Sequence, residues 1–323
     1  MEEAPDVTVV VPSHGRPQRL GNLLDALAGQ TLSHLRFEAV VVHDSPEPDT
    51  ETLLAGHPLA TAGVLRHLTL PADSALPAAK RNLGWREARA ALLAFTDDDC
   101  RPPPEWLERV VAAARRHPGA IVQGATLPDP VEAASLRARF QESQQLMPPT
   151  IWAETCNVAY PRDVLERTGG FDEALLAFED TDLALRAREQ GVSYVGDATM
   201  LTYHAVHTPS LADRLRGVTR WRDGPLAVRR HPQLRRELRL GIFWKPTHAW
   251  LPLVWLGLAL ALGGRRWGLG LCVPWSLEQR GRYGSSIRGH LRALPELPAY
   301  AALETGEMAV LLAASARHRT LLL

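Results

Sequence analysis

The first 125 residues alternate short apolar runs with amphipathic helical stretches, and this alternation constrains the fold more than any other feature. Val7–Val11 is a β-branched run ending at Pro12 and reads as a buried strand. Pro17 then opens a helical pattern with Leu20, Leu23, Leu24 and Leu27 on one face, stopped near Gly29. Phe37–Val42 and Val64–Leu70 read as strands two and three, with Asp44-Ser45-Pro46 as a loop between them. Ala78–Arg89 is a helix, Ala91–Phe95 a strand, Pro104–Arg116 a helix and Ile121–Gln123 a fifth strand. Strands separated by helices of this length cannot pair as hairpins. They imply an α/β fold with a mostly parallel sheet flanked by helices.

After Gly124 the alternation loosens. Val131–Leu146 reads as a helix, Thr155–Tyr160 as an extended segment and Asp163–Thr168 as a short helix. Gly169-Gly170 is a turn, and Asp180–Gln190 a helix closed by Gly191. Val192–Val195 and Thr199–Tyr203 read as two short strands, and Leu211–Leu240 as Arg-rich and helical.

The formal net charge is zero, which excludes a strongly basic nucleic-acid binder. The zero hides a polarity. Residues 1–212 carry 18 Lys/Arg against 29 Asp/Glu, and residues 213–323 carry 18 against 7. We therefore expect two parts: a catalytic domain over 1–212, and a helical, basic, partly apolar C-terminal region over 213–323. Three dispersed cysteines without a CxxC argue against a disulfide framework or structural zinc. The acidic N-terminus lacks the pattern of a signal peptide, so a cytoplasmic protein is expected. The uncharged run Ala249–Leu262 is 14 residues long, short of the ~20 needed to span a bilayer. Tryptophans surround it and Arg265-Arg266 follow it, as in an interfacial segment. A buried helix is the competing reading. Together with the Arg-rich stretch before it, this run makes an anionic membrane surface, the inner face of the plasma membrane, a candidate partner.

Four clusters could carry chemistry. Asp97-Asp98-Asp99 ends an apolar strand, where open α/β sheets bind ligands and where carboxylates can hold a divalent cation. Glu179-Asp180-Thr181-Asp182 opens a helix, and crowded carboxylates there suit a general base. Arg81, within Ala79–Gly84, could pair with a phosphate. His204 and His207 follow a strand and could complete a metal site. Each has an ordinary alternative: a solvated turn, a helix cap, an exposed helix face, a structural histidine.

Their order resembles the family 2 glycosyltransferases of the GT-A (Rossmann-like) fold. Val9–Pro17 resembles the family's VPTxNR opening, with Gly15 where Asn is usual. Val41–Ser45 resembles VVDDGS, with His43 in place of the first Asp and Pro46 after it. Ala79–Gly84 is similar to ARNxG, and Phe95–Cys100 followed by Pro102–Trp106 to the DxD region. Thr155–Asn157 resembles TxN, Gly169–Glu173 GGFDE, and Phe178–Leu183 the ED motif. The resemblance covers roughly residues 6–207.

The resemblance implies inverting transfer of a sugar from a nucleotide-diphosphate donor, with Mn²⁺ or Mg²⁺ as cofactor. It implies Asp99 as a metal ligand, with Asp97 on metal or ribose. His204 is the third ligand, with His207 as the alternative. Pro12, Ser13, His14, Arg16, Asp44, Arg81, Asp97 and Asp98 would surround the donor nucleotide. Asp180 would be the base and Glu179 its helper. Trp152, Asn157, Gly170, Phe171 and Asp172 would line the acceptor side. The acceptor stays open between a glycan, a lipid-linked saccharide and a small molecule. Two competing readings are a nucleotidyltransferase and a non-catalytic scaffold of polysaccharide assembly.

Overall fold

The computed structural model describes residues 4–44, 48–73, 75–137, 140–279 and 287–323. It divides into two compact units. One comprises the chain up to Leu136 together with Glu142–His207, and the other Arg137–Gln141 with Thr208–Leu323.

The first unit is built on an eight-stranded sheet. Its strands are β1 (Val7–Ser13), β2 (Phe37–His43), β3 (Leu65–Thr69), β4 (Leu92–Phe95), β5 (Cys100–Arg101), β6 (Ile121–Pro128), β7 (Val158–Pro161) and β8 (Tyr194–His204). Their order is β3-β2-β1-β4-β7-β6-β8-β5. β1 pairs in parallel with β2 and β4, β2 with β3, and β6 with β8. β7 runs antiparallel to β4 and β6, and β5 antiparallel to β8. The sheet is thus mixed but mostly parallel, with helices α1 (Pro17–Ala28), α2 (Pro48–Gly56), α3 (Pro58–Thr61), α4 (Pro77–Glu87), α5 (Trp106–Arg116), α6 (Arg162–Thr168) and α7 (Glu179–Glu189) around it.

The pleat of β1 explains how both faces are filled. Val7, Val9 and Val11 face Leu20, Leu23, Leu24 and Leu27 of α1 and Trp106, Leu107 and Val110 of α5. Val10 faces the other way, into a core with Ala78, Trp85, Phe95, Tyr160, Leu165, Phe171 and Leu183. Burying each such leucine contributes ~2 kcal/mol. On that second face α4 comes close to the sheet at Gly84, where a Cβ would lie 2.5 Å from Val10 Cγ1.

Three expectations need correction. Val131–Leu146 is not one helix. A 3₁₀ turn covers Pro130–Arg137, and further on Glu142 bridges to His207 and Leu146 to Thr126. Glu132 ion-pairs with Arg19 and accepts from the Val206 amide, so tertiary bonds override the local helical preference. Tyr194-Val195 and Thr199–Tyr203 lie in one strand, β8, whose register shifts opposite Gly124/Ala125. Thr155–Asn157 forms a 3₁₀ turn before β7 rather than extended chain. Ser45 and Pro46 lie outside the described residues.

In the second unit, α8 (Leu211–Gly217), α9 (Gly224–Arg230), α10 (Leu251–Leu262), α11 (Val273–Gln279), α12 (Ile287–Ala293) and α13 (Leu297–His318) are joined by 3₁₀ turns. Their core holds Val218, Leu251, Val254, Trp275, Tyr300, Leu303 and Met308. Among the described residues no helix is long and apolar enough to cross a membrane.

Candidate active site

β1, β2, β4 and β8 all point the same way, so Ser13, His43, the triplet after Phe95 and His204 gather along one sheet edge. That edge is where an open α/β sheet leaves its crevice.

On one side of the crevice, the buried Lys80 of α4 ties two loops together. Its Nζ donates to the Ser13 carbonyl (2.7 Å) and to Asp44 Oδ1 (2.5 Å). His14 Nδ1 reaches the same Asp44 oxygen at 2.8 Å. Burial raises the Asp44 carboxyl, but Lys80 and His14 outweigh it and hold the group below its usual range. Pro12 and Ser13 are buried at the strand end, while His14 is exposed.

The acid triplet is divided among three partners. Asp98 is fully buried and accepts from Ser13 Oγ at 2.8 Å. Burial pushes it up to about 6 against the pull of Arg16. Arg16 also donates to Asp99 Oδ2 at 2.6 Å. Asp97 turns toward Arg81.

Asp99, His204 and His207 form a group whose ligand atoms all lie within 4.8 Å of one another. His207 Nε2 is 2.8 Å from Asp99 Oδ2, and His204 Nε2 is 3.5 Å from Oδ1. The His204 Nδ1–H donates to the Ala205 carbonyl (2.9 Å), since a carbonyl can only accept. In the neutral ring, Nε2 therefore directs its lone pair toward Asp99, the outer-sphere arrangement of metal-binding histidines. Asp99 Oδ1 is buried and receives no hydrogen bond. The residues thus fit a divalent cation. Burial raises Asp99, but His207, His204 and Arg16 together hold it well below the usual carboxylate range. Both histidines reach Asp99. Asp97 stays outside the cluster.

Arg81 connects the triplet to the ED segment. Buried in α4, it donates through Nη1 to Glu179 Oε1 (2.7 Å) and through Nη2 to Asp97 Oδ1 (3.0 Å). Its guanidinium lies over the Phe171 ring, 5.7 Å from the centroid. Burial disfavours its charge, but Asp97, Glu179 and Asp180 raise its pKa above the ordinary value. Both of its terminal nitrogens are engaged by carboxylates.

Phe178, in the left-handed region at φ 70°, turns the chain into α7 and places Glu179 and Asp180 in its first turn. Such a backbone costs roughly 1–3 kcal/mol and persists where packing enforces it. Here Phe178 packs against Trp152, and Thr181 Oγ1 donates to the Trp152 carbonyl at 2.8 Å. Arg186 holds the other side of α7, donating to the carbonyls of Thr168 and Gly170. Asp180 keeps part of its surface open, yet protein packs densely around its carboxyl. Burial first, then the charge of Glu179, pushes it well above the usual range against the pull of Arg81. Glu154, which accepts from the buried Gln123 (2.9 Å), adds to that push.

The expected acceptor residues separate. Trp152 sits beside α7. Gly170 has φ 77°, and a Cβ there would lie 2.5 Å from Asn82 Oδ1. Asp172 is partly exposed and caps its turn through the Ala174 amide. Phe171 is core, edge-on to Phe95. Asn157 is also core. Its amide donates to the carbonyls of Ala125 (2.7 Å) and Met200 (2.6 Å) and accepts from Trp106 Nε1 (3.0 Å). These side-chain bonds join β6, β8 and α5.

Two family models match the chain: "Glycosyl transferase family 2" over residues 8–168 and "Glycosyl transferase family group 2" over residues 92–277, more than half of the chain. The chain belongs to glycosyl transferase family 2. The glycosyltransferase AglE of Haloferax volcanii is 27% identical over 58% of this chain and 63% of its own length. The validoxylamine A glucosyltransferase of Streptomyces hygroscopicus subsp. limoneus is 26% identical over 76% of this chain and 60% of its own. This chain thus spans about three fifths of these relatives' length. Among solved structures, the mannosyltransferase PcManGT of Pyrobaculum calidifontis, in complex with GDP-Man and Mn²⁺, superposes with a TM-score of 0.59. It is 20% identical and covers 98% of this chain and 88% of its own. S. aureus TarS with UDP gives 0.52 at 16% identity, covering 98% and 92%. The fold is that of GT-A glycosyltransferases. Family membership displaces the nucleotidyltransferase reading.

Proposed function

We propose that this glycosyltransferase uses a nucleoside-diphosphate sugar as donor and transfers the sugar, with inversion, to an acceptor hydroxyl. The observation that carries the reading is Arg81, which links Asp97 of the triplet to Glu179 beside Asp180 in one site. Asp99, His204 and His207 would hold a divalent cation, and the two imidazoles weigh toward Mn²⁺ over the oxygen-seeking Mg²⁺. A cation there supplies electrostatic stabilisation for a departing diphosphate. Ser13, His14 and Asp44, fixed by Lys80, would border the nucleoside. Asp180 accepts the proton of the incoming hydroxyl. A carboxylate raised by burial and a like-charged neighbour is a stronger base than an exposed one. Glu179, anchored by Arg81, positions it. Trp152, Gly170 and Asp172 would border the acceptor, whether a glycan, a lipid-linked saccharide or a small molecule.

The solved relatives carry GDP-Man and UDP, which supports a nucleotide donor. A thermal-shift panel of nucleotide sugars with and without Mn²⁺ tests the reading. At least one donor should raise the melting temperature, and more so with Mn²⁺. A panel with no Mn²⁺-dependent stabilisation would refute the metal-assisted donor site.

A further inference from the structure

α10 reads LPLVWLGLALAL, with no charged side chain. A helix apolar on every side is normally buried on every side. This one buries only Leu251, Val254 and Gly257 in its unit. Trp255, Leu256, Leu258 and Leu262 are exposed, Leu262 by 90%.

The 3₁₀ turn Arg266–Cys272 packs back along α10, and glycines occupy the contact. A Cβ on Gly257 would lie 2.5 Å from the Gly268 carbonyl oxygen, and one on Gly268 2.6 Å from Leu260 Cβ. Small residues face inward, while Trp267 and Leu269 of the turn face outward, Trp267 with 67% exposure. Hairpins in water put their large apolar side chains inside. Small residues at the contact and large apolar ones outside is how helices pack in lipid. The exposed apolar surface continues: α11 packs beside the turn with Val273 and Leu277 exposed, and α12 beside α11 with Ile287 and Leu291 exposed.

Charge selects the occupant. Among the described residues of α10, the turn, α11 and the start of α12, the Lys, Arg, Asp and Glu residues are Arg265, Arg266, Glu278 and Arg288, and Glu278 is paired with Arg239. Arg265, Arg266 and Arg288 are exposed. A second copy seated symmetrically on this face would set that basic excess against itself. An anionic bilayer offers apolar depth and opposite charge together.

We propose that the face formed by α10, the Arg266–Cys272 turn, α11 and α12 seats the protein on an anionic lipid bilayer. The hairpin lies in the headgroup plane. Twelve residues of helix rise only ~18 Å, against ~30 Å of hydrocarbon, so α10 does not cross. The seat is monotopic and stands independently of the transferase reading.

The experiment is co-sedimentation of the full chain with vesicles of phosphatidylcholine alone or mixed with phosphatidylglycerol. The mixed vesicles should be preferred by about fivefold per engaged Arg at low salt. The preference should narrow as added salt shortens the screening length, while residual binding persists. The double variant Leu262→Glu/Trp267→Glu changes exposed side chains, so its circular dichroism and melting should match the parent. Its vesicle binding should fall at least about tenfold, given the apolar area lost. Failure of the parent to bind either vesicle, or unchanged binding by a folded double variant, overturns the proposal. So does light scattering that shows a lipid-free dimer dissolved by the double variant, which would assign the face to a second copy.

Discussion

Replacing Arg81 with Met removes the cation that joins the triplet to the ED segment while keeping most of the side-chain volume. Glu179 then loses its 2.7 Å partner and Asp97 its 3.0 Å partner. Removing one member of a buried ion pair typically costs ~3–5 kcal/mol. Asp97 is partly exposed, which places the expectation near ~4 kcal/mol rather than at the sum of two pairs. In a unit of this size each kcal/mol moves the melting temperature by roughly 2–4 °C, so the loss should be about 8–16 °C at neutral pH. The loss should also depend on pH. Asp180 has a folded-state pKa above its unfolded value, so its ionisation opposes folding as pH rises past the unfolded value. Arg81 limits that opposition, and without it the Asp180 pKa climbs further. The gap between parent and variant should therefore be small near pH 4 and widest at pH 7 and above. Differential scanning fluorimetry across that range reads it directly. Arg81→Lys keeps a charge but cannot span both carboxylates, so it should recover part of the loss. A neutral-pH shift below ~2 °C, or a gap that does not widen with pH, would refute the clamp.

Three further outcomes follow from the geometry. Asp99→Ala should abolish Mn²⁺-dependent nucleotide binding by calorimetry, and His204→Ala and His207→Ala should each weaken it at least about tenfold; an inert histidine variant would remove that residue from the site. Asn157→Ala leaves the Trp106 N–H and the Ala125 and Met200 carbonyls without their partner. At ~1–3 kcal/mol per group the unfolding midpoint should drop sharply, while KM for the acceptor stays near the parental value. In the second unit, His248 and Lys245 outweigh burial and hold Glu307 down at about 2. A depressed carboxyl stabilises above its unfolded pKa and loses that contribution as pH falls toward 2, so Glu307→Gln should cost up to ~3 kcal/mol at pH 7 and little near pH 2. A pH-independent difference in denaturant midpoint would contradict this.

The sequence was most legible where period and punctuation agree. Val7–Val11 before Pro12, and the four leucines between Pro17 and Gly29, mark β1 and α1 closely. Val131–Leu146 misled because its composition suits a helix, whereas Arg19 and the Val206 amide, distant in sequence, compete for Glu132. Gly196-Asp197-Ala198 looks like a break, but β8 runs through it by shifting register. The site's residue types were readable, its pairings were not. Arg81 meets Glu179 across 98 positions, and no local pattern reports that contact. The resemblance of Thr155–Asn157 to TxN does not announce that the Asn157 amide is hydrogen-bonded inside the core. Lys80 and Glu154 were passed over for the same reason. The one available signal was that Lys80 is one of only two lysines in the chain.

The most direct measurement pairs turnover with binding in a single variant, Asp180→Asn. With a productive nucleotide sugar and Mn²⁺, kcat should fall by roughly 10²–10⁴, the range general-base catalysis supplies. The dissociation constant of the nucleoside diphosphate, from calorimetry on the same preparation, should stay within about twofold, because the proposal gives Asp180 to the hydroxyl and not to the donor. Retained turnover, or nucleotide affinity lost together with activity, would contradict the account.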